Sequence, residues 1–165
     1  MEEVILVDQD DIAIGAMEKL EAHEKGLLHR AFSVFIFNDA GELLLQQRAL
    51  SKYHSAGLWT NTCCSHPRPG EDTLLAAKRR LKEEMGIECG LEYKMHFIYK
   101  THFENGLTEH EFDHVFFGTH NKEPNINEEE VENYCWTKPA EIKKQLIDEP
   151  EKFTSWFKIA IEKLF

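Results

Sequence analysis

Hydrophobic and polar positions along this chain follow two periods, one typical of β-strands and one typical of α-helices. Residues 31–37 are rich in aromatic and β-branched side chains, and an apolar run resumes at residues 42–48 after a polar turn at 38–41. Two apolar runs joined by a short polar turn predict a β-hairpin. Two long strands are predicted over 91–103 and 107–119, because the Asn-Gly pair between them accepts the positive φ of a tight turn.

The helical period is clearest across residues 71–85, where apolar positions recur at helical spacing among charges and Gly86 ends the pattern. The other predicted elements are an acidic, solvated loop over 121–130, a strand over 131–136 and helices over 139–147 and 150–164. Strands with helices on both sides predict an α/β sandwich. Since no repeat, low-complexity tract or linker divides the sequence, residues 1–165 are expected to form a single domain.

The chain is strongly acidic. Its 30 Asp and Glu residues outnumber its 19 Lys and Arg residues, which gives a formal net charge of −11 at pH 7. Nucleic acid and anionic membranes are bound through clustered positive charge, so neither is an expected partner. The N-terminus has no basic region and no apolar run of membrane-spanning length, and a soluble protein is expected. An anionic substrate would have to meet a local group of cations.

The cysteines bear on the cellular compartment. The four of them are Cys63, Cys64, Cys89 and Cys135. Two disulfides are conceivable, but neighbours such as Cys63 and Cys64 are poorly placed for ordinary bridges, and no secretory signal precedes them. A reducing, cytoplasmic location is therefore expected.

Candidate chemistry begins with a thiol and an imidazole two residues apart, Cys64 and His66, where a strand should give way to a loop. In the predicted strand over 107–119, Glu109 and Glu111 point to the same face. Two upstream imidazoles, those of His23 and His29, complete the set. Three imidazoles and two carboxylates can therefore converge. The alternative for Cys64 is a small buried hydrophobe, which is the role expected of Cys63 on the opposite strand face.

Charged residues at fixed spacing cover the predicted helix. Glu71 is followed after seven residues by Arg79 and Arg80, and Glu83 and Glu84 lie one helical turn further on. Such carboxylates can bind a divalent cation, while guanidinium groups orient them or contact phosphate. The alternative is an exposed helix with ion pairs at i,i+4 spacing. The spacing resembles the Nudix box, G-x5-E-x7-R-E-U-x-E-E-x-G-U, where U is aliphatic.

Two positions depart from that box. Ser65 stands at the leading glycine, and Arg80 stands at the glutamate that follows the arginine. In Nudix hydrolases this glutamate helps to hold the catalytic metals and to position water. Its replacement by a cation removes a metal ligand and adds a charge that can bind phosphate, so hydrolysis of a diphosphate is disfavoured.

Segments outside the helix extend the resemblance. Between residues 19 and 156 the chain is similar to type 1 isopentenyl diphosphate isomerases, which belong to the Nudix superfamily. The segments that carry this similarity are residues 28–35, 45–48, 59–67 and 109–111. The resemblance implies a Nudix-like α/β/α sandwich with a mixed sheet. It also implies an isomerase of isoprenoid biosynthesis that interconverts isopentenyl and dimethylallyl diphosphate by adding one proton and removing another. The implied partner is a small prenyl diphosphate, bound by a monomer or weak homodimer.

The same resemblance implies roles for individual residues. Cys64 and Glu111 would be the acid–base pair, and which of them protonates the alkene stays open. A transition metal, Mn²⁺ or Zn²⁺, would be held by His23, His29, His66, Glu109 and Glu111. Such a donor set suits an octahedral catalytic site better than a closed tetrahedral one. Glu84 would bind Mg²⁺ together with the substrate diphosphate.

Cations and aromatic rings complete the implied site. The family positions that contact diphosphate are occupied here by Lys19, Arg48, Lys52 and Arg80. Protonation of the alkene creates a tertiary carbocation, which the face of an aromatic ring stabilises. Trp156 is the implied ring, with Tyr99 and Trp59 as further candidates, and the alternative for the latter two is ordinary core packing.

Two other functions compete with isomerisation. One is a Nudix diphosphohydrolase, which Arg80 and the Cys64–His66 pair disfavour. The other is a binding module without catalytic activity that a metal stabilises through the imidazoles and the two glutamates. Release of phosphate would indicate the hydrolase, and metal-dependent folding without turnover would indicate the binding module.

Overall fold

The computed structural model describes residues 2–165, which form a mixed sheet of nine strands with helices on both faces. The strands are β1 (Glu3–Val7), β2 (Ala13–Glu18), β3 (His29–Phe37), β4 (Leu43–Arg48), β5 (Trp59–Thr60), β6 (Cys63–Ser65), β7 (Glu92–His102), β8 (Thr108–Thr119) and β9 (Val131–Thr137). The helices are α1 (Lys19–Lys25), α2 (Thr73–Met85), α3 (Pro139–Asp148) and α4 (Ser155–Leu164). Among the described residues, no helix is long and apolar enough to cross a membrane.

The strand β3 lies at the centre of the sheet. It pairs in parallel with β8 along its whole length, from His29 opposite Glu111 to Phe37 opposite Thr119. On its other side the short β6 runs antiparallel to it, with Ser33 opposite Cys64. The hairpin of β1 and β2 joins β3 at His29, and β7 extends the sheet beyond β8. The start of β3, the end of β6 and the start of β8 therefore lie together.

Alternate side chains of β3 face opposite sides of the sheet, and each side is covered by helices. Phe32, Val34 and Ile36 face α2, with which they form one buried core. Phe35 faces the opposite side and packs in a second core with α3 and α4, through side chains such as Phe157. Because both faces of β3 are covered, its sequence is apolar almost throughout. This arrangement matches the predicted α/β/α sandwich.

The helix α2 has the predicted position, with defined ends. The side chain of Asp72 caps it by accepting a hydrogen bond from the Leu75 amide at 3.0 Å. Gly86 ends it in the left-handed region, at φ 65°. A Cβ atom at this glycine would lie 2.6 Å from the carbonyl oxygen of Asn125. Both the φ angle and the close approach therefore require glycine here.

The predicted hairpin of β3 and β4 exists only at its turn. The side chain of Asn38 closes that turn through the amides of Ala40 and Glu42, and Phe37 pairs with Leu43. Beyond this pair the strands diverge, because β4 runs antiparallel to β9 and β5 instead. A pattern of apolar residues identifies strands but does not choose their partners.

The predicted helix over 150–164 is interrupted. A 3-10 turn at Pro150–Lys152 precedes α4, and the two are separated by Phe153 and Thr154. The Thr154 amide donates to the Trp59 carbonyl at 3.0 Å, while its hydroxyl caps α4 at Phe157. The Phe153 side chain is buried in the core. Tertiary contacts thus override the helical pattern.

Three elements before residue 31 were not predicted. Most residues of β2 are exposed, so the strand lacks an alternating apolar face. The helix α1 has only 7 residues and depends on its caps. Glu18 accepts hydrogen bonds from two amides at its start, and Gly26 ends it at φ 65°.

Candidate active site and metal centre

Five side chains that the sequence analysis grouped converge at one end of the central strands. His23 comes from α1, His29 begins β3 and His66 directly follows β6. Glu109 and Glu111 lie on the same face of β8. Because Gly26 ends α1 and turns the chain towards β3, both His23 and His29 reach β8. The predicted convergence of three imidazoles and two carboxylates is present in the structure.

The imidazoles of His23 and His29 are oriented by backbone carbonyls. Nδ1 of His23 lies 2.7 Å from the Lys19 oxygen, and Nδ1 of His29 lies 2.9 Å from the Leu27 oxygen. A carbonyl only accepts hydrogen bonds, so Nδ1 carries the proton and Nε2 keeps a lone pair. Both Nε2 atoms are buried and have no hydrogen-bond partner among the described residues. This is the arrangement of histidines that bind a metal through Nε2.

The donor atoms are close enough to surround one ion. Nε2 of His29 and of His66 lie 3.3 and 2.6 Å from Oε2 of Glu111, and these donors with Nε2 of His23 lie within 4.8 Å of one another. Oε2 of Glu109 lies 3.8 Å from Nε2 of His23. Buried polar atoms without partners are costly, and a divalent cation would satisfy them. The residues therefore fit a divalent metal, for which imidazole and carboxylate donors suit a transition ion.

A tyrosine hydroxyl binds both carboxylates. The Tyr99 hydroxyl contacts Glu109 and lies 2.5 Å from Oε1 of Glu111. Burial and the charge of Glu111 raise the pKa of Glu109. Burial acts the same way on Glu111, but the adjacent imidazoles, first that of His66, hold its pKa well below the usual range. Glu111 is therefore the carboxylate that stays ionised.

The two adjacent cysteines face opposite sides of β6, as predicted. Cys63 is fully buried in the core under α2. Cys64 packs on the side of α4 and lines a cavity together with His66, Glu109 and Glu111. Burial raises the pKa of the Cys64 thiol, so this group is protonated at neutral pH. A neutral thiol and an ionised carboxylate thus open onto the same cavity.

The four predicted cations line the same cavity. Glutamates bind three of them: Lys19 pairs with Glu2 at 3.1 Å, Lys52 with Glu130, and Arg80 with Glu84 at 2.5 Å. Glu130 also lies 3.3 Å from Arg80. Glu130 belongs to the loop that was predicted to be solvated. For this residue the prediction is wrong, because the Glu130 carboxylate bridges two cations of the cavity.

Arg48, the fourth cation, pairs differently. Its Cζ atom lies 5.2 Å from the centre of the Trp156 ring, and within the described chain no carboxylate forms an ion pair with it. Among the described residues that line the cavity, Trp156 is present but Tyr99 and Trp59 are not. Tyr99 packs behind the carboxylates that it binds, and Trp59 packs against the core of α4. Of the three predicted rings, Trp156 is therefore the one that lines the cavity, where the ring of Tyr53 lies as well.

Glu84 is buried at the cavity wall. Its Oε1 accepts a hydrogen bond from Gln46 at 3.0 Å, and its Oε2 accepts one from Arg80. Each carboxylate oxygen has a second lone pair, which remains available for a cation. Arg79, in contrast, lies outside the cavity lining and binds Glu71 and Glu83. Of these two arginines of α2, only Arg80 lines the cavity.

His54 was not predicted as a site residue. This residue follows β4 in the loop that carries Lys52, and it lines the cavity. Its Nε2 lies 3.5 Å from Oε2 of Glu109. Burial, together with the charge of Arg48, lowers its pKa to about 3. No motif spacing marks His54, and its position within a loop rich in cavity residues is the only signal in the sequence.

The sequence of this chain is similar to those of known proteins. The NUDIX domain family model matches residues 27–157. The isopentenyl-diphosphate Delta-isomerase of Pectobacterium atrosepticum is 52% identical over 162 residues, which are 98% of this chain and 90% of that protein. The enzyme of the same name from Serratia proteamaculans is 53% identical over 156 residues, which are 94% of this chain and 87% of that protein.

Solved structures agree on the fold. The protein DR0079 of Deinococcus radiodurans superposes with a TM-score of 0.83 at 16% identity, and 99% of each chain is covered. A MutT protein of Methanosarcina mazei superposes with a TM-score of 0.66 at 21% identity, covering 82% of this chain and 91% of that one. The predicted Nudix-like sandwich is thus confirmed. On the strength of the sequence relatives, the chain belongs to the isopentenyl-diphosphate Delta-isomerase family of NUDIX-domain proteins.

Proposed function

We propose that this chain interconverts isopentenyl diphosphate and dimethylallyl diphosphate, as an isomerase of isoprenoid biosynthesis. The observation that carries the proposal is that Cys64 and Glu111 open onto one cavity whose lining also contains four cations and Trp156. The relatives from Pectobacterium atrosepticum and Serratia proteamaculans are named for the same reaction, which supports the proposal. Arg80, where the Nudix box has a glutamate, disfavours the hydrolase alternative.

The diphosphate would be bound at the cationic part of the cavity. Lys19, Arg48, Lys52 and Arg80 supply the positive charge. Because glutamates already neutralise three of them, a diphosphate binds by displacing or sharing those partners, and only Arg48 is free of carboxylates among the described residues. Glu84 would hold Mg²⁺ against the diphosphate oxygens, since Mg²⁺ is typically bound by one or two carboxylates plus phosphate.

The proton transfers would fall to Cys64 and Glu111. One group adds a proton to C4 of isopentenyl diphosphate, which places a tertiary cation at C3, and the other removes a proton from C2. Each turnover moves one proton into the substrate and one out, so atoms and charge balance. The burial that keeps the Cys64 thiol neutral and the imidazoles that keep Glu111 ionised give the pair complementary protonation states.

One feature would stabilise the cationic intermediate, and another would support the proton transfers. The face of Trp156 stabilises a cation by ~2 kcal/mol or more when it is desolvated. A divalent metal would be held by the grouped donors His23, His29, His66 and Glu111, with Glu109 beside His23 as the fifth ligand, and it would supply Lewis acidity and a fixed orientation for Glu111. We assign Mn²⁺ or Zn²⁺ to this site, because imidazole donors favour transition ions over Mg²⁺.

The organisation of the protein follows from the same proposal. We propose that residues 1–165 act as one domain, because β1 joins the sheet at His29 and α4 covers the cavity through Trp156.

The net charge of −11 supports a small-molecule partner rather than nucleic acid or a membrane surface. A monomer or weak homodimer suffices, since the proposed site lies within one chain. A thiol at Cys64 requires a reducing compartment, which supports the cytoplasm.

The test is an assay of isopentenyl diphosphate in D₂O, followed by NMR with metal-loaded protein. Dimethylallyl diphosphate should form, and deuterium should enter the methyl and methylene positions of the substrate pool. Protein that leaves the substrate unconverted and unlabelled would disprove the proposal. Release of inorganic phosphate in the same tubes would instead support the hydrolase alternative.

A further inference from the structure

His54 lies in an enclosed aromatic setting beside the metal centre. Its ring stacks on Phe103, with centroids 4.7 Å apart and planes 15° apart. Trp156 and Tyr53 meet the ring edge to face, with interplanar angles of 87° in both cases. The side chain is only 7% exposed. Three aromatic neighbours therefore fix the plane of the imidazole.

The nitrogen atoms of this ring face defined partners. Nδ1 lies 3.3 Å from the Ser55 hydroxyl, and Nε2 lies 3.5 Å from Oε2 of Glu109. A carboxylate accepts hydrogen bonds and a hydroxyl can donate one. The tautomer that matches both neighbours has its proton on Nε2, directed at Glu109. At 3.5 Å this contact is longer than an ordinary N–H···O hydrogen bond, and it becomes one only when the carboxylate moves about 0.3 Å closer.

Glu109 is thereby held from several sides. Its Oε1 accepts a hydrogen bond from the Tyr99 hydroxyl, while its Oε2 lies 3.5 Å from Nε2 of His54 and 3.8 Å from Nε2 of His23. The three donors of His23, His54 and Glu109 form a group within 4.8 Å. Among the described residues, neither His54 nor Glu109 belongs to the other group, in which His23 is joined by His29, His66 and Glu111. His54 therefore adjoins that group through His23 and Glu109.

We propose that His54 is a positioning residue of the metal centre, whose Nε2–H orients Glu109 without itself binding the ion. Outer partners of metal ligands fix their orientation, and their loss typically costs roughly 10–100-fold in metal affinity or activity. The ring also links Glu109 to Trp156, so it connects the metal centre to the wall proposed to face the carbocation. The expected effect of losing the His54 N–H on turnover rests on the proposed function. Its expected effect on metal affinity does not depend on the reaction.

Two substitutions separate the donor from the ring. His54→Phe keeps a flat ring that can stack on Phe103 but removes the N–H, whereas His54→Gln keeps an N–H donor and removes the ring. His96→Phe is the matched control, because the ring of His96 stacks on Phe112 at 4.7 Å and 23°, outside the cavity lining. Should His54→Phe fail to fold, His54→Ala removes the donor without adding bulk and replaces it.

The measurement is Mn²⁺ affinity without substrate, by competition with a chelator, together with pulsed EPR that counts directly bound imidazole nitrogens. His54→Phe should lower the affinity by roughly 10–100-fold, His54→Gln should recover at least part of it, and His96→Phe should not change it. The count of bound nitrogens should stay the same in every variant. In the D₂O assay, the lower kcat of His54→Phe should be restored at saturating Mn²⁺, with KM for the diphosphate unchanged.

Two results would overturn the inference. Unchanged Mn²⁺ affinity in His54→Phe or His54→Ala would show that the N–H does not orient Glu109. Loss of one bound nitrogen in these variants would show that His54 is a metal ligand rather than a positioning residue. A protein that binds Mn²⁺ with the expected differences but isomerises nothing would contradict the proposed function alone.

Discussion

Cys63 and Cys64 are adjacent, yet their surroundings differ completely. Cys63 packs in the core under α2, whereas Cys64 lines the cavity beside Glu111. We predict that Cys64→Ala reduces kcat for isopentenyl diphosphate by at least about 10²–10⁴-fold, which is the typical loss when a positioned acid or base is removed. Glu111→Gln should cause a similar loss. The measurement is the initial rate of formation of dimethylallyl diphosphate by NMR.

Cys63→Ala is the matched control for this prediction. It removes a buried sulfur, so it should lower the thermal midpoint, but it should retain most of the activity. Both variants remove the same group one residue apart, which separates chemistry from packing. A fully active Cys64→Ala would exclude the thiol from the mechanism.

Glu84 and His66 allow the two proposed metal sites to be tested separately. Glu84 offers a single carboxylate, already bound by Gln46 and Arg80, so Mg²⁺ should bind there mainly when a diphosphate supplies further oxygens. We predict that Glu84→Gln raises the Mg²⁺ concentration needed for half-maximal activity but leaves the transition metal bound. His66→Ala should release the transition metal. Elemental analysis and Mg²⁺ titrations check this, and a full metal complement with full activity in His66→Ala would contradict the proposed first site.

At the residue scale, regular spacing determines which site residues can be predicted from the sequence. Glu109 and Glu111 could be grouped because strand periodicity places them on one face, and the resemblance to a family assigned them and the three imidazoles to one metal. His54 and Glu130 were missed as site residues because loops bring them to the cavity, and loop paths have no period. Tyr99 was assigned to the cavity by family position, yet its hydroxyl binds the carboxylates from behind.

At the scale of elements, α2 is fixed to the loop before it by a pair from the Nudix box. Arg79 donates to both oxygens of Glu71, at 2.8 and 2.9 Å, and Glu71 also accepts from the Arg68 amide. Glu71 lies outside the cavity lining. Spacing alone suggested metal or phosphate binding along this helix, but for Glu71 and Arg79 the structure shows a stabilising pair.

We predict that Glu71→Gln destabilises the protein by roughly 1–2 kcal/mol at pH 7, a charged hydrogen-bonded pair being worth that order. The thermal midpoint should fall by about 2–8 °C. Arg79 holds the pKa of Glu71 below its ordinary value, chiefly through their hydrogen bonds. The stabilisation is therefore fully present above the ordinary pKa of about 4.3 and is lost as the pH falls through the lower folded value.

Thermal melts at several pH values check this prediction. The difference between Glu71→Gln and the unchanged protein should shrink as the pH falls through and below pH 4. Glu83→Gln is the control, because Glu83 contacts the same Arg79 through one bond and is more exposed. It should cost less. A difference that grows towards acid pH would contradict the assigned pair.

Elements were predicted well where one face or both faces are continuously apolar, as in β3, β8 and α2. They were predicted poorly where tertiary contacts decide, as at Phe153 and Thr154, which interrupt the last helix. The partners of β4 could not be predicted, since many pairings satisfy the same alternation. The site nevertheless depends on strand pairing, because the register of β3 against β8 places His29 opposite Glu111.

At the scale of the whole molecule, the negative net charge of the chain is compatible with a cavity that contains cations. The chain carries a net charge of −11, yet its cavity contains four cations. Glu2, Glu130 and Glu84 hold three of those side chains in place without substrate. We expect the net negative charge to disfavour binding of polyanions, while the local cations attract a small diphosphate.

The metal centre links the site to the stability of the fold. Its donors come from α1, β3, β8 and the end of β6, so an ion bound there connects elements that are distant in sequence. An ion that binds only the folded state at 100 times its Kd stabilises that state by about 2.7 kcal/mol. We predict that chelation of Mn²⁺ or Zn²⁺ lowers the thermal midpoint by roughly 5–10 °C. Calorimetry of the metal-loaded and chelated protein measures the difference.

Mg²⁺ and His66→Ala provide the controls for chelation. Mg²⁺ added without a diphosphate should not restore the midpoint, because Glu84 alone binds it weakly. His66→Ala should melt at nearly the same temperature with and without the transition metal, since a ligand on the loop after β6 is missing. Buried Nε2 atoms of His23 and His29 have no other partner among the described residues, so the chelated protein leaves them unsatisfied. An unchanged midpoint after chelation would mean that no ion joins these elements in the folded state.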